Sequence, residues 1–219
     1  LLASAINSNV SAQILSPIAT EIEKQTIQWL SAFIGVSEDY GGLLVSGGNM
    51  ANFTAFLTAR AVKGPRSMQE DGLLKNVKAL ITYCSRSTHT WVEKAAILFG
   101  NGSKSIRWIE TDDKNQMDTA LLEKAIAEDL HLGNQPFLVV GTAGDVSTGV
   151  VDDLDEIAKI CKNHDLWFHI DGAYGGAAIL SKKGSALLKG IEKADSLTID
   201  PHKWLFGPYD SCALLYRNP

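Results

Sequence analysis

The sequence predicts an α/β domain with three layers, in which helices cover both faces of a mostly parallel β-sheet. Short apolar segments alternate with segments of about 10–15 residues whose apolar positions recur at helical spacing. Such alternation is typical of βαβ units, which place neighbouring strands parallel. No internal repeat, low-complexity tract or linker-like change of composition divides the 219 residues. We therefore expect one domain over residues 1–219.

The first half of the chain is predicted to form helices and strands in turn. A helix lies in SPIATEIEKQTIQWLSAFIG, where Ser16 caps the start, Pro17 occupies the first turn and Gly35 ends it. The segment GGLLVSGGNMANFTAFLTARAVKG combines an apolar run, a glycine turn and a helix from about Asn49 to Val62. VKALITYC is predicted to be a buried strand, and HTWVEKAAILFG the helix that follows it.

The second half repeats this alternation. SIRWIE is a short strand, and DTALLEKAIAEDLHLG is a capped helix that ends at Gly133. PFLVVGTAG is a strand, DDLDEIAKICKNHD a helix, and LWFHIDGAYGG a strand that breaks into glycine. ADSLTID and SCALLYR are the last two strands. Because ligands bind at the carboxyl ends of strands in open α/β sheets, we expect the functional site there.

Composition argues against several classes of protein. The formal net charge is −5 and no dense basic run occurs, so we expect no nucleic-acid partner. No apolar run reaches about 18 residues, so no membrane span is predicted, and the start LLASAINSNV lacks the features of a signal peptide. Cys84, Cys161 and Cys212 are widely spaced, which predicts core packing in a reducing, cytoplasmic compartment rather than disulfides or a zinc site.

Two strand ends carry features suited to a flat, anionic ligand. In VSGGNMANF, Gly47 and Gly48 allow close approach of the backbone, and the helix starting near Asn49 directs free N–H groups to an anion such as phosphate. A plain glycine turn is the alternative, and the segment matches no nucleotide-binding pattern. His89, in CSRSTHTWVEKAA, is either a core or capping histidine or a ring that lies flat on an aromatic ligand.

Two later strand ends offer a carboxylate and an amine. His169 and Asp171 alternate along LWFHID, so both point to the same face, and Asp171 follows a mainly apolar run. A buried carboxylate needs a partner, which is either a ligand or a structural ion pair. In SLTIDPHKWLFGP, Lys203 is either a surface lysine lying along an aromatic ring, or a lysine in a water-poor pocket whose uncharged amine is a nucleophile.

These four features together match the requirements of pyridoxal 5′-phosphate. Its phosphate needs backbone amides, its ring a stacking partner, its pyridine nitrogen an anion and its aldehyde an amine. The chain also resembles the group II pyridoxal-phosphate decarboxylases, which include aromatic-amino-acid, glutamate, tyrosine and cysteine-sulfinate decarboxylases. The resemblance covers nearly the whole chain and is carried by SGGNMAN, TAGDVSTGVVDDLDEIAKIC, LWFHIDGAYGG and ADSLTIDPHKWL.

The resemblance implies the large domain of a fold-type I enzyme, an amino-acid substrate, decarboxylation to the amine and CO2, and a homodimer with shared active sites. It also implies that Lys203 binds the cofactor covalently, that Asp171 pairs with its ring nitrogen, and that His89 is the third catalytic residue. The complete set of implied cofactor-binding residues is Gly47, Gly48, Asn49, His89, Asp171, Ala173, His202 and Lys203. The family's amino-terminal segment, carboxy-terminal small domain and mobile loop are expected to be missing from this chain.

The sequence departs from the family pattern in two places and leaves three other functions open. The phosphate turn reads Gly-Gly-Asn where several members carry Ser or Ala. Where many members read Gly-Thr-Thr, this chain reads Gly144-Asp145-Val146, which removes an expected hydroxyl contact. A carbon–carbon lyase or an aldehyde synthase would use the same cofactor residues. A divalent-metal hydrolase would use His169, Asp171 and His202 as ligands, and a domain that keeps the fold without catalysis is the last alternative.

Overall fold

The structure is a computed structural model that describes residues 5, 9–10, 12–37, 40–72 and 78–217. Its centre is a sheet of seven strands in the order β1-β7-β6-β5-β4-β2-β3. The strands are β1 Tyr40–Ser46, β2 Leu80–Ser85, β3 Ile106–Ile109, β4 Gln135–Thr142, β5 Trp167–Asp171, β6 Ser196–Ile199 and β7 Ser211–Arg217. The start of the chain, where the sequence predicts no signal peptide, lies largely outside the described residues.

Helices cover both faces of this sheet. They are α1 Pro17–Ile34, α2 Gly48–Lys63, α3 Met68–Asp71, α4 Trp91–Leu98, α5 Thr119–His131, α6 Leu154–Asn163 and α7 Lys182–Leu187. One core joins α1, α5 and α6 to the sheet and includes Leu30, Ile126 and Ile157. A second core on the opposite face joins α2 and α4 and includes Phe56 and Trp91. The predicted three-layer α/β architecture is therefore confirmed.

The directions of the strands determine which side chains meet at one rim of the sheet. β2, β3, β4, β5 and β6 pair in parallel, whereas β7 is antiparallel to both β6 and β1. Two successive antiparallel pairings give β1 the same direction as β6. The carboxyl ends of β1, β2, β4, β5 and β6 consequently lie at the same rim, which is where the sequence predicts a ligand.

Most predicted helix ends agree with the structure. Pro17 begins α1, and Gly35 ends it in a left-handed conformation with φ of 76°. Ser16 lies at the cap position but its side chain makes no capping hydrogen bond; its backbone carbonyl instead accepts the Thr20 hydroxyl. The predicted end of α5 at Gly133 is two residues late, because its last helical residue is His131.

The three cysteines are free and buried, as their apolar sequence surroundings predict. They pack in the core rather than forming disulfides. Among the described residues, no helix combines the length and the apolar character needed to cross a membrane.

Candidate active site

A cavity of about 420 Å³ opens at the carboxyl-end rim of the sheet. Its volume falls within the roughly 300–1,000 Å³ of small-molecule sites. The structure brings every residue of the predicted cofactor set to its wall: Gly47, Gly48, Asn49, His89, Asp171, Ala173, His202 and Lys203. Residues from four strand ends, those of β1, β2, β5 and β6, thus meet around one space, although they are spread over most of the chain.

The glycine turn between β1 and α2 lies against two carboxylates. Gly47 has φ of 82°, which side chains rarely adopt, and a Cβ added there would lie 2.7 Å from Asp210 Oδ1. A Cβ added at Gly48 would lie 3.0 Å from Asp200 Oδ2. Gly47 therefore favours glycine through its backbone conformation, whereas a side chain at Gly48 would displace the Asp200 carboxylate by a few tenths of an ångström. α2 begins at Gly48, one residue before the predicted start.

His89 lies at the cavity and not in the core. Its side chain is exposed on the segment between β2 and α4, and its Nδ1 accepts a long hydrogen bond of 3.4 Å from the backbone N–H of Trp91. This hydrogen bond orients the ring from behind while leaving its faces available. The alternative of a core histidine is wrong, because the turn after β2 carries this residue out to the rim.

Asp171 is a buried carboxylate with neutral hydrogen-bond donors. Its Oδ2 accepts from Trp91 Nε1 at 2.7 Å and from Asn52 Nδ2 at 3.2 Å, and its Oδ1 accepts from the backbone N–H of Ala173 at 3.2 Å. Burial raises the pKa of Asp171, while these hydrogen bonds and the nearby His89 and Lys203 oppose the rise. The described neighbours thus supply no ion pair at hydrogen-bond distance, so the structural ion pair considered from sequence does not form.

His169 lies beneath Asp171 and does not reach the cavity. Both ring nitrogens are occupied: Nδ1 lies 2.8 Å from Ser196 Oγ, and Nε2 lies 2.9 Å from Asn52 Oδ1. Complete burial lowers the pKa of His169 to about 3, so the ring is neutral at physiological pH. Among the described residues, no group of three histidine, cysteine or acidic side chains is placed to hold a metal ion. The set His169, Asp171 and His202 proposed for a metal hydrolase is therefore not assembled.

Lys203 occupies the mouth of the cavity, which differs from the water-poor pocket expected from sequence. Its Nζ lies 2.9 Å from Asp200 Oδ2, and 37% of its side chain is exposed. The physical reason is the turn after β6, which directs the lysine back over Asp200 rather than into the core. The side chain is thus partly exposed, as the surface-lysine alternative predicts, but its amine is paired with a buried carboxylate rather than surrounded by water.

His202 is anchored beside Lys203. Its Nδ1 donates to the backbone carbonyl of Ser211 at 2.7 Å, and its Nε2 lies 3.8 Å from Asp200 Oδ2. The ring also packs edge-on against Tyr209. These contacts fix the tautomer with hydrogen on Nδ1 and leave Nε2 on the side of the cavity that Asp200 occupies.

The loop that departs from the family pattern makes its own hydrogen bonds. Asp145 is buried, and its carboxylate accepts the backbone N–H groups of Ser147 and Thr148. Desolvation tends to raise the pKa of Asp145, but these hydrogen bonds outweigh it and lower the pKa overall. The Thr148 hydroxyl also donates to Asp145, so it does not replace the missing hydroxyl at Val146.

Sequence reasoning missed three residues that shape the site. Asn52 and Trp91 hold the Asp171 carboxylate, and Asp200 pairs with Lys203. Asn52 was detectable in principle, because it is a polar residue on the otherwise apolar buried face of α2. Trp91 had no such signal, since a tryptophan at the start of a helix is usually explained by core packing.

The residues of this cavity fit pyridoxal phosphate. Asp171 Oδ1 accepts only one hydrogen bond from the described residues and has a lone pair left for a protonated ring nitrogen. A Cβ added at Gly47 would meet Asp210 Oδ1, so the turn presents backbone rather than a side chain at this point of the cavity wall. An amine, a carboxylate, a ring partner and a glycine turn at one helix start are the groups that this cofactor requires.

Fold and site together define a cofactor-binding α/β domain built around one lysine and one buried carboxylate. The pyridoxal-dependent decarboxylase conserved domain matches residues 1–219. The chain belongs to the pyridoxal-dependent decarboxylase family.

Relatives within this family differ in activity. An aromatic-L-amino-acid decarboxylase of Bacillus atrophaeus is 44% identical over 217 residues, which cover 99% of this chain and 43% of that protein. A 4-hydroxyphenylacetaldehyde synthase of Rhodiola rosea is 34% identical over 211 residues, which cover 93% of this chain and 42% of that protein. The chain thus spans less than half the length of these relatives.

Solved structures agree with the fold and the cofactor. The crystal structure of mouse CSAD superposes with a TM-score of 0.93 at 32% identity, covering 99% of this chain and 45% of that one. The structure of Oryza sativa TDC with PLP and tryptamine superposes with a TM-score of 0.90 at 28% identity. The match covers 99% of this chain and 48% of that one. The predicted fold-type I architecture and pyridoxal-phosphate cofactor are therefore confirmed for the family of this chain.

Proposed function

We propose that this chain is the cofactor-binding large domain, residues 1–219, of an enzyme that decarboxylates an L-amino acid to the amine and CO2. The observation that carries the proposal is the placement of Asp171 and Lys203 on one cavity wall with the glycine turn at Gly47 and Gly48. Asp171 is the last residue of β5, and Lys203 lies in the turn that follows the neighbouring strand β6, so the carboxylate and the amine meet at one end of the sheet.

Each residue has a defined task in this proposal. Asp171 holds a proton on the ring nitrogen, since a buried carboxylate favours a protonated partner. Lys203 would hold the aldehyde through its amine, once its ammonium has given up a proton and the ion pair with Asp200. His89 covers one ring face, and Ala173 leaves room on the other. When bound, pyridoxal phosphate supplies the electron sink that labilises a bond at the substrate α-carbon.

An aldehyde synthase is the second candidate, because the Rhodiola rosea relative is named as one. The two activities are separated by their products. A decarboxylase releases the amine and CO2, whereas an oxidative aldehyde synthase also consumes O2 and water and releases the aldehyde, CO2, ammonia and hydrogen peroxide. Incubation of the full chain with aromatic and acidic L-amino acids, followed by product analysis, decides between them.

Absorption before and after borohydride treatment tests the cofactor assignment. We expect the full chain to absorb near the visible, and the band to disappear on reduction while the cofactor becomes attached to the protein. A colourless protein that binds no pyridoxal phosphate contradicts the proposal, as does release of neither amine nor aldehyde from any amino acid tested.

We further propose a homodimer in the cytoplasm. The dimer is supported by apolar side chains on the outer face of α1 and near the cavity mouth that contact little of the described chain: Ile18, Ile22, Trp29, Phe33 and Phe206. The compartment is supported by three buried free cysteines. Light scattering on the full chain tests the dimer, and a catalytically active monomer contradicts it.

A further inference from the structure

A chain of buried hydrogen bonds runs from the interior of the sheet to the Asp171 carboxylate. Trp167 Nε1 lies 2.8 Å from Ser196 Oγ, which lies 2.8 Å from His169 Nδ1. His169 Nε2 lies 2.9 Å from Asn52 Oδ1, and Asn52 Nδ2 lies 3.2 Å from Asp171 Oδ2. The chain thus links β5, β6 and α2, three elements that the fold brings together behind the cavity.

The hydrogen positions in this chain allow one consistent direction. The Trp167 indole can only donate, so Ser196 Oγ accepts that bond and its own hydrogen is free to go to His169 Nδ1. His169 is neutral and carries a single hydrogen, which then lies on Nε2 and is donated to Asn52 Oδ1. The Asn52 amide group is left to donate to the Asp171 carboxylate.

The opposite direction of hydrogen bonds is unfavourable at the contact between Asn52 and Asp171. If His169 carried its hydrogen on Nδ1, Nε2 would need a donor, and the Asn52 amide would have to turn over. Its oxygen would then face Asp171 Oδ2 at 3.2 Å, placing two acceptors against each other in a buried site. An ionised Asp171 therefore selects the first direction.

We propose that Ser196, His169 and Asn52 are positioning residues that orient the Asp171 carboxylate toward the cofactor's ring nitrogen and favour its ionised form. Asn52 and Trp91 both donate to Oδ2 and so keep that oxygen turned away from a further ligand. Oδ1 then faces the ligand with its remaining lone pair. This inference rests on the proposed function, because it assigns these residues a role through the ring nitrogen.

The test compares two ligands that differ only at the ring nitrogen. Cofactor-free full chain is titrated with pyridoxal phosphate and with an analogue in which carbon replaces the ring nitrogen. Asn52→Leu preserves size and removes the donor to Asp171. We expect this variant to lose about 10- to 100-fold in affinity for pyridoxal phosphate, the scale of one hydrogen bond to a charged group, and less than about twofold for the analogue.

Tyr83→Phe is the matched control. It also removes one buried donor to a carboxylate, the 2.9 Å bond from Tyr83 to Asp129, on the core face away from the cavity. We expect its two affinities to match those of the unchanged protein. Ser196→Ala removes the far end of the chain and is expected to show a smaller loss of the same kind. It also serves as the decisive variant if Asn52→Leu does not fold.

The outcomes are distinct. A loss confined to pyridoxal phosphate supports the positioning role, whereas equal losses for both ligands, or no loss for either, overturn it. If the unchanged protein binds pyridoxal phosphate no better than the analogue, the pairing of Asp171 with the ring nitrogen fails, and the positioning role fails with it. If the unchanged protein binds neither ligand, the proposed function itself is wrong.

Discussion

Lys203 Nζ lies 2.9 Å from the carboxylate of Asp200, a residue that is only 3% exposed. The lysine must break this ion pair before its amine can bind an aldehyde. Asp200 is therefore the group that holds Lys203 at the cavity mouth in this structure. The other oxygen of Asp200 makes no hydrogen bond of normal geometry to the described residues, so Lys203 is the main partner of this buried carboxylate.

Lys203→Ala tests the covalent attachment. We expect the variant to keep its fold, because the side chain is partly exposed, and to lose all incorporation of cofactor on borohydride reduction. Peptide mapping of the reduced, unchanged protein is expected to find the label on Lys203. Lys94→Ala, at an exposed position on α4, is the control and should label normally. A label on Lys94 or on any other lysine overturns the assignment.

His89→Ala tests the stacking role. We expect cofactor affinity to fall by about fivefold, corresponding to about 1 kcal/mol for one aromatic contact. The melting temperature of the cofactor-free protein should stay unchanged, since the ring is exposed. His131→Ala, an exposed histidine at the end of α5, should change neither quantity. A lower melting temperature with unchanged affinity would indicate a structural histidine instead.

Gly47→Ala tests the glycine turn. Its φ of 82° disfavours a side chain by about 1–2 kcal/mol, and the new Cβ would lie 2.7 Å from Asp210 Oδ1. Gly102→Ala is the matched control, because its φ is 81° and nothing lies within 4 Å of the added Cβ. We expect both variants to lose similar stability in urea denaturation, but only Gly47→Ala to lose cofactor affinity, by at least about 10-fold. If Gly47→Ala and Gly102→Ala bind the cofactor with equal affinity, this turn does not take part in cofactor binding.

Asp152 gives the protein a measurable pH dependence of stability. Burial raises the pKa of Asp152 to about 6, although its two oxygens accept the backbone N–H groups of Met117 and Thr142. The folded state thus binds this proton more tightly than the unfolded state, whose carboxyl has a pKa near 3.8. The group therefore costs stability as pH rises from about 4 to 6, by about 3 kcal/mol in full.

Asp152→Asn removes that pH dependence. The variant's free energy of unfolding, measured relative to the unchanged protein, should increase as pH rises from about 4 to 7. Urea denaturation at intervals across this range gives the comparison. Parallel stability curves for Asp152→Asn and the unchanged protein would show that Asp152 does not titrate in this range.

The sequence was most informative where periodicity and strand ends determine position. The segments LWFHID and SLTID predict β5, which ends at Asp171, and β6, which precedes the turn with Lys203. Parallel pairing of β5 with β6 follows from the alternation of elements. The hydrogen-bond partners of Asp171 could not be read in this way. Asn52 and Trp91 lie 119 and 80 residues away in sequence, and their approach depends on how α2 and α4 are rotated against the sheet.

The exposure of the Lys203 side chain could also not be predicted from sequence patterns. The apolar strand and the adjacent tryptophan left open a surface lysine or a buried amine, because residues 201–205 form a turn, and turns have no periodicity that assigns a side chain to one face. The ion pair with Asp200 depends on that turn. The antiparallel placement of β7 between β1 and β6 was likewise not specified, because strand order depends on contacts that are distant in sequence.

Turnover of Asp171→Asn in the full chain tests the central claim most directly. The substitution keeps the size of the side chain and removes the charge that is proposed to hold a proton on the ring nitrogen. We predict that decarboxylation falls by about 10²–10⁴, the scale of one buried charge-assisted contact, while borohydride still attaches the cofactor to Lys203. A variant that binds the cofactor and decarboxylates at a near-normal rate would contradict the assigned role of Asp171.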